Sequence, residues 1–182
     1  MVLPVLERKI YLQHPLSQEA TIYEYTLLRK FKMNPLFGSL YALTALVWCL
    51  KTVSFIDAGL SVLSAGVIFL LHALLLMALV KIGPYRPDTG WTWQYQLLWV
   101  GYLPTKYVKY TTMMKLHLHV FAIGGLVILA FFVWLPVLVR GDLFFFHLWI
   151  LLPRFFFLMR CKQLKDVSWV LITRWTLSCY RQ

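Results

Sequence analysis

Charged side chains are scarce in this sequence. Asp, Glu, Lys and Arg make up only 14% of the 182 residues, whereas 60% are hydrophobic and 17% are aromatic. A soluble domain averages about 25% charged and about 45–50% apolar residues. The composition therefore excludes an ordinary soluble globular domain and predicts an all-α membrane protein, in which lipid surrounds the apolar side chains.

Motifs of the common enzyme classes are also absent. The sequence contains no P-loop, no nucleophile elbow and no zinc-protease motif. Its three cysteines, Cys49, Cys161 and Cys179, form neither a Cys-x-x-Cys pair nor a metal-ligand spacing. We therefore identify no catalytic residue, no metal site and no cofactor, and we expect no disulfide framework.

Four apolar stretches are long enough to cross a bilayer as helices, which takes about 20 residues for a hydrocarbon core of about 30 Å. They comprise residues 36–56, 58–82, 116–139 and 143–159. Very short turns, around Asp57 and at residues 140–142, join these stretches two by two. The sequence therefore predicts four transmembrane helices as two hairpins, residues 36–82 and 116–159, with no substantial domain on the side of the two turns.

Lysines and arginines are distributed unevenly along this pattern. Five precede the first stretch, five lie in the segment from Lys81 to Lys115 with both ends included, and five follow from Arg160 onward. The two turns hold only one, Arg140. Cytoplasmic loops of membrane proteins carry such an excess of basic residues. We therefore predict a multi-pass protein of the cell membrane with both termini in the cytoplasm. Anionic lipid as a partner accounts for the net charge of +11 without nucleic acid.

Three cytoplasmic segments flank the hairpins: an amphipathic N-terminal segment (residues 1–35), a linker rich in Trp and Tyr (residues 83–115) and a basic tail (residues 160–182). Within the linker, residues 91–103 are too short to span a bilayer and too apolar for water, which predicts an interfacial or re-entrant helix. We expect similar interfacial helices in the N-terminal segment and the tail. The predicted contacts with interfacial lipid are Trp91, Trp93, Trp99, Lys106, Lys109 and Lys115.

Polar side chains at membrane depth mark functional sites by default, because their burial in lipid is costly. Lys51, His72 and Arg154 are the candidates, as polar groups that contact a neighbouring helix or a partner. Lys51 and Arg154 either snorkel to the headgroups or meet a carboxylate, and for Arg154 a third alternative is a bond to the carbonyl that Pro153 leaves without its helical donor. Because no Asp or Glu lies within the four stretches, the sequence argues against an autonomous cation-coupled transporter. It favours a partner subunit that supplies the acid for Arg154.

The histidines show no pattern of a membrane haem site. His72 and His147 are predicted to lie at different depths, so no two spans offer the matched axial pair that a haem needs. His117 and His119 are two residues apart near the cytoplasmic boundary, which places them on different faces of a helix.

Three functions stay open on these observations. The first is a non-enzymatic subunit or assembly factor of a larger membrane complex, which fits the small extramembrane part and Arg154. The second is a small oligomeric transporter or channel, although the sequence shows little of a polar pore. The third is a membrane enzyme that acts on a lipid headgroup at the cytoplasmic face with His117, His119 and nearby lysines.

Overall fold

The computed structural model describes residues 26–32, 34–51, 54–83, 90–94, 101–162, 164, 169–173 and 176–181. Within them the chain forms four helices, which are α1 (Pro35–Cys49), α2 (Phe55–Ile82), α3 (Tyr110–Phe131) and α4 (Val137–Lys162). The described strands are β1 (Thr26–Lys32), β2 (Trp91–Gln94), β3 (Gly101–Pro104), β4 (Val108–Lys109), β5 (Trp169–Thr173) and β6 (Thr176–Arg181).

Three of the helices, α2, α3 and α4, are each long and apolar enough to cross a membrane. This confirms the predicted helical architecture and the presence of helices that could span a membrane. α1 has 15 residues, which is about 22 Å of helix and less than a hydrocarbon core of about 30 Å. Its start is well defined, because the Asn34 side chain accepts a hydrogen bond from the Leu36 amide at 3.1 Å and Pro35 occupies the first turn.

Both predicted turns between the spans belong to helices instead. Asp57 lies in the first turn of α2, where a negative charge suits the helix dipole. α4 begins at Val137, directly after Pro136, so residues 140–142 are helical. Proline is compatible with the start of a helix, and membrane helices tolerate a glycine such as Gly141. The Gly-Asp pair was therefore a misleading turn signal.

The core of the bundle is built around α4, which packs against both α2 and α3. Leu76, Leu116 and Leu151 come one each from α2, α3 and α4 and share a buried apolar cluster. A second buried cluster, closer to the start of α4, contains Ile68 of α2 and Phe146 of α4. These clusters hold the three long helices together along most of their length.

α1 lies along α4 in antiparallel orientation. The Tyr41 ring stacks on Trp149 with centroids 3.9 Å apart, and the Trp48 ring stacks on Phe145 at 4.0 Å. Later residues of α1 thus meet earlier residues of α4. No residue of α1 is buried, so most of its surface faces away from the described part of the chain.

One end of the bundle is covered by an antiparallel four-stranded sheet with the order β1-β6-β5-β4, which we call the β-cap. β4 runs directly into α3, and β5 follows α4. Val170, Ile172 and Leu177 of the sheet pack with Met113 of α3 and Leu158 of α4. The β-cap therefore lies where α3 begins and α4 ends.

The prediction of interfacial helices is wrong where the structure describes these segments outside the ends of α1, α3 and α4, because they contain strands there. Residues 91–103 contain β2 and β3, paired antiparallel with Trp91 opposite Pro104, while residues 95–100 lie outside the described residues. β1 lies in the N-terminal segment, and β5 and β6 lie in the tail. Aromatic and β-branched residues suit a half-buried pleated surface, and buried residues alternate with partly exposed ones along β5.

Candidate functional site

The end of the bundle away from the β-cap contains a buried carboxylate. Asp142 of α4 is 2% exposed and accepts hydrogen bonds from Lys51 Nζ at 2.5 Å, Ser61 Oγ at 2.6 Å and Trp48 Nε1 at 3.0 Å. The Lys51 ammonium also lies over the Trp48 ring, 4.1 Å from its centroid. We call these four residues the acid cluster. It joins α1, α2 and α4 through charge-assisted hydrogen bonds.

The acid cluster corrects the prediction that no acid lies within a membrane helix. Asp142 was assigned to a turn because Gly141 precedes it, whereas the start of α4 at Val137 places it one turn inside the helix. Of the two alternatives for Lys51, the structure shows contact with a carboxylate. Its side chain remains 29% exposed, so the ion pair is partly open to its surroundings.

Two histidines meet near the middle of the long helices. His72 Nε2 of α2 and His147 Nδ1 of α4 are 2.8 Å apart, and both residues are buried. His147 Nε2 lies 3.2 Å from the carbonyl oxygen of Phe121 in α3, so it must donate there. In neutral His147 the Nδ1 then accepts, and His72 Nε2 donates. This histidine pair thus connects α2, α3 and α4 in one hydrogen-bonded chain.

The histidine pair depends on a glycine opposite it in α3. An ideal Cβ on Gly124 would lie 2.8 Å from His147 Cε1 and 3.6 Å from His72 Nε2. On the neighbouring Gly125, a Cβ would come no closer than 3.8 Å to His147 Nε2. Only Gly124 therefore provides the space in which the two rings meet.

The prediction that His72 and His147 lie at different depths is wrong. Because α4 begins at Val137, His147 lies deep enough in the bundle to reach α2. The separation of 2.8 Å between the two ring nitrogens is that of a hydrogen bond. In the described part of the chain, no group of three His, Cys, Asp or Glu residues is placed to hold a metal ion.

Arg154 of α4 is 1% exposed and is among the largest fully buried side chains. Its charge interacts with Tyr41 of α1, His72 of α2 and His117 of α3. The side chain therefore lies inside the bundle and does not snorkel to the headgroups. An acid on a partner would have to enter the bundle to meet it.

Pro153 leaves one carbonyl group of α4 without its helical hydrogen bond. A side chain of α1 replaces the missing donor. Proline has no N–H, so the Trp149 carbonyl one turn earlier loses its usual donor. The Tyr41 hydroxyl donates to the Trp149 oxygen at 2.9 Å, and Trp149 Nε1 donates to Thr44 Oγ1 at 3.0 Å. The sequence suggested Arg154 as a donor for this carbonyl, and the structure assigns the role to Tyr41.

The two histidines of α3 are separated, as their spacing predicts. His117 is buried and its Nδ1 lies 2.9 Å from the Met113 carbonyl oxygen, whereas His119 is exposed and its Nδ1 lies 2.7 Å from the Lys115 carbonyl oxygen. They do not form a joint site for acid–base chemistry on a headgroup.

The residues predicted to contact interfacial lipid occupy different surroundings. Lys106, Lys109 and Lys115 are exposed, and Lys109 lies over the Trp169 ring at 5.9 Å. Trp93 is exposed, whereas Trp91 is partly buried and packs against the apolar core. Trp99 lies outside the described residues.

Cys161 and Cys179 form a disulfide between the end of α4 and β6. The prediction of no disulfide is therefore wrong. The two residues are 18 positions apart. They meet because β6 runs antiparallel to β5 and so brings Cys179 back to the end of α4. Cys49 is a free cysteine.

No protein-family model, curated protein or solved structure matches this chain.

Proposed function

We propose that this protein is a non-enzymatic subunit or assembly factor of a larger membrane complex. The observation that supports it is the surface of α1, a helix that is fixed to α4 on one side and has no buried residue. The other side of α1 is apolar and exposed. Its large exposed side chains are Leu36, Leu40, Leu43, Leu46 and Val47.

The arrangement of the strands supports four spans in two hairpins. β1 precedes α1 and β4 precedes α3, yet both strands belong to the β-cap. If α2 crosses the membrane, the chain must cross it a second time between β1 and β4 for both strands to lie on one side. α1 lies between β1 and α2, so it is the segment that makes this second crossing. By the same reasoning, α3 and α4 form the second hairpin, since β4 and β5 pair.

A spanning α1 would be too short for an ordinary bilayer. Its length of about 22 Å leaves a mismatch of roughly 8 Å against a hydrocarbon core of about 30 Å. Membranes accommodate a short helix by thinning, by snorkelling of flanking residues or by association with other helices. Association suits a helix whose inner face is held by two stacked aromatic pairs, because its outer face is then presented in a fixed orientation.

The positive-inside rule completes the proposal: the β-cap and both termini lie in the cytoplasm, and the protein is in the cell membrane. The described strands of the β-cap carry exposed Arg29, Lys30 and Lys32 on β1 and Lys109 on β4. These cations agree with a cytoplasmic position of the β-cap.

The subunit proposal is tested by a change on the outer face of α1. In the double variant Leu40→Ala/Val47→Ala we expect the complex recovered in gentle detergent to fall about tenfold or more, because a packed leucine contributes about 2 kcal/mol or more and every 1.4 kcal/mol is tenfold in affinity. Native gel electrophoresis with mass spectrometry measures the complex, and blotting measures the inserted protein.

The matched control for this test is Leu63→Ala/Leu70→Ala on α2, whose side chains are also exposed. It removes similar apolar volume from a face that we do not assign to a partner, and we expect it to leave the complex intact. If wild-type protein migrates as a monomer in every gentle detergent, or if both double variants behave alike, the subunit proposal is wrong.

A second candidate function, a small oligomeric transporter or channel, is favoured by the buried polar residues between α2 and α4. Ser61 and Asp142 lie at one end of this row, and His72, His147 and Arg154 continue it toward the β-cap. The sequence argument against a transporter rested on the lack of such a carboxylate. Proton flux into liposomes containing the purified protein tests this function, and flux that Asp142→Asn abolishes would favour it over the subunit.

A further inference from the structure

An open apolar groove runs along the face of the bundle formed by α3 and α4. It consists of two adjoining depressions of about 520 Å³ and about 370 Å³, and Phe121 and Leu148 line both. Phe155 and Met159 of α4 continue the groove toward the β-cap. The lining is apolar except for His147, so the groove suits a hydrocarbon chain.

Two cations of α4 lie at the end of the groove nearer the β-cap. The Arg160 guanidinium lies over the ring of Phe156, a groove residue, at 5.2 Å from its centroid. Lys162 follows Phe155 by seven positions, so it lies within about 20° of that residue around the helix axis. Both cations are exposed.

α3 contributes a third cation along the same line. Lys115 is exposed and precedes the groove residue Ala122 by seven positions, which places the two on one helix face. The described residues include two carboxylates, Asp57 and Asp142. Both lie near the ends of their helices that point away from the β-cap. Within the described part of the chain, therefore, no acid lies beside the three cations.

We propose that this groove binds one anionic phospholipid from the leaflet on the β-cap side. An acyl chain lies between α3 and α4, and Lys115, Arg160 and Lys162 bind the headgroup phosphate. From Leu148 to Met159, α4 rises about 17 Å, which is close to the roughly 15 Å of hydrocarbon in one leaflet. This inference does not depend on the subunit proposal.

Shape and charge favour a lipid over a helix from a partner. Helices that pack in membranes use small residues along the contact, so that their backbones approach closely. The side of the groove that α4 forms is lined instead by bulky side chains such as Leu148, Leu152 and Phe155. The three cations match a phosphate, and each lysine or arginine near the membrane surface strengthens the binding of anionic lipid about fivefold.

The experiment measures the lipid that stays bound to the purified protein. Delipidated protein in detergent is mixed with equal amounts of dioleoylphosphatidylglycerol and dioleoylphosphatidylcholine, and native mass spectrometry counts bound lipids. Wild-type protein should retain one phosphatidylglycerol in preference to phosphatidylcholine. Arg160→Gln/Lys162→Gln should weaken that binding about 30-fold, and Leu152→Trp, which fills the groove, should also weaken it.

Two control variants make the same chemical changes elsewhere. Lys30→Gln/Lys32→Gln removes two exposed cations from β1, and Leu70→Trp adds the same ring to an exposed position of α2; both should keep the lipid. Equal retention of both lipids, or retention after Leu152→Trp, overturns the proposal. The proposal is also overturned if Leu152→Trp causes the loss of a bound protein instead of a bound lipid, since the groove would then hold a helix of that protein.

Discussion

Asp142 accepts three hydrogen bonds in the acid cluster, from Lys51, Ser61 and Trp48. Asp142→Asn removes the charge opposite Lys51, and a hydrogen bond to a charged group contributes about 1.5–3 kcal/mol. We expect a loss of stability toward the lower end of that range, because Lys51 is 29% exposed and solvent weakens the pair. Unfolding in mixed micelles measures it.

The control for this prediction is Asp57→Asn, which removes an acid from the first turn of α2. We expect a change well below that of Asp142→Asn, since a helix-dipole interaction contributes roughly 0.3–1 kcal/mol. Adding Lys51→Met to Asp142→Asn should restore part of the stability, because it removes the cation that lost its carboxylate. Equal losses in Asp57→Asn and Asp142→Asn would contradict the structural role of the cluster.

Gly124 and Gly125 form a natural pair for a second prediction at this scale. Gly124→Ala places a methyl group 2.8 Å from His147 Cε1 and should destabilise the protein by about 1–3 kcal/mol, as overpacking does. Gly125→Ala has ordinary contacts and should be neutral or stabilising by up to about 1 kcal/mol, because alanine favours the helix. Thermal unfolding of both variants in one detergent compares them, and a reversed order would contradict the packing.

The site residues were predicted from the sequence only as single positions. Lys51, His72 and Arg154 were identified because each is polar within an apolar stretch, and that signal depends on composition alone. Their contacts could not be predicted, because Asp142 and His147 reach the bundle core only when α4 starts at Val137. In the sequence, Pro136 indicates that start, whereas Gly141 favours a turn at residues 140–142.

At the scale of elements, the contact between α1 and α4 gives a third prediction. Tyr41→Phe removes the hydroxyl that satisfies the Trp149 carbonyl, which should cost about 1 kcal/mol because this hydrogen bond is partly buried. In a Pro153→Ala background the amide of residue 153 can bond that carbonyl again, so the same change should cost less. Stability of the four proteins in a double-mutant cycle measures the difference. Additive effects would mean that Tyr41 does not replace the missing donor.

The helices and the strands differ in how well the sequence predicts them. A run of apolar residues as long as α2 has few alternatives to a membrane helix, and the prediction of 58–82 matches α2 closely. A short apolar segment such as Trp91–Gln94 fits a strand, an interfacial helix or a buried helix equally well by composition. Its pairing partner determines that this segment is a strand, and that partner, β3, begins ten residues further along the chain.

At the scale of the whole molecule, the fourth prediction concerns the sidedness of the β-cap. β1 pairs with β6, so reporter fusions at Met1 and Gln182 should give the same sidedness, and the positive-inside rule makes it cytoplasmic. The Cys161–Cys179 disulfide is unusual for the reducing cytoplasm, so its redox state in cells lysed with a thiol-blocking reagent is a second test of sidedness: a reduced pair agrees with the cytoplasm and an oxidised pair contradicts it. Reporters on opposite sides would contradict four spans.

The pairing of β1 with β6 also sets an order of events during synthesis. β1 leaves the ribosome before any of the four helices, whereas its partner β6 is the last strand that the structure describes. The β-cap therefore cannot close until all four helices have been made. Until then β1 carries unpaired backbone groups beside the exposed cations Arg29, Lys30 and Lys32, which discourage pairing with other chains. A nascent chain arrested after α4 would hold every helix that the structure describes and still present an open strand edge to quality-control factors.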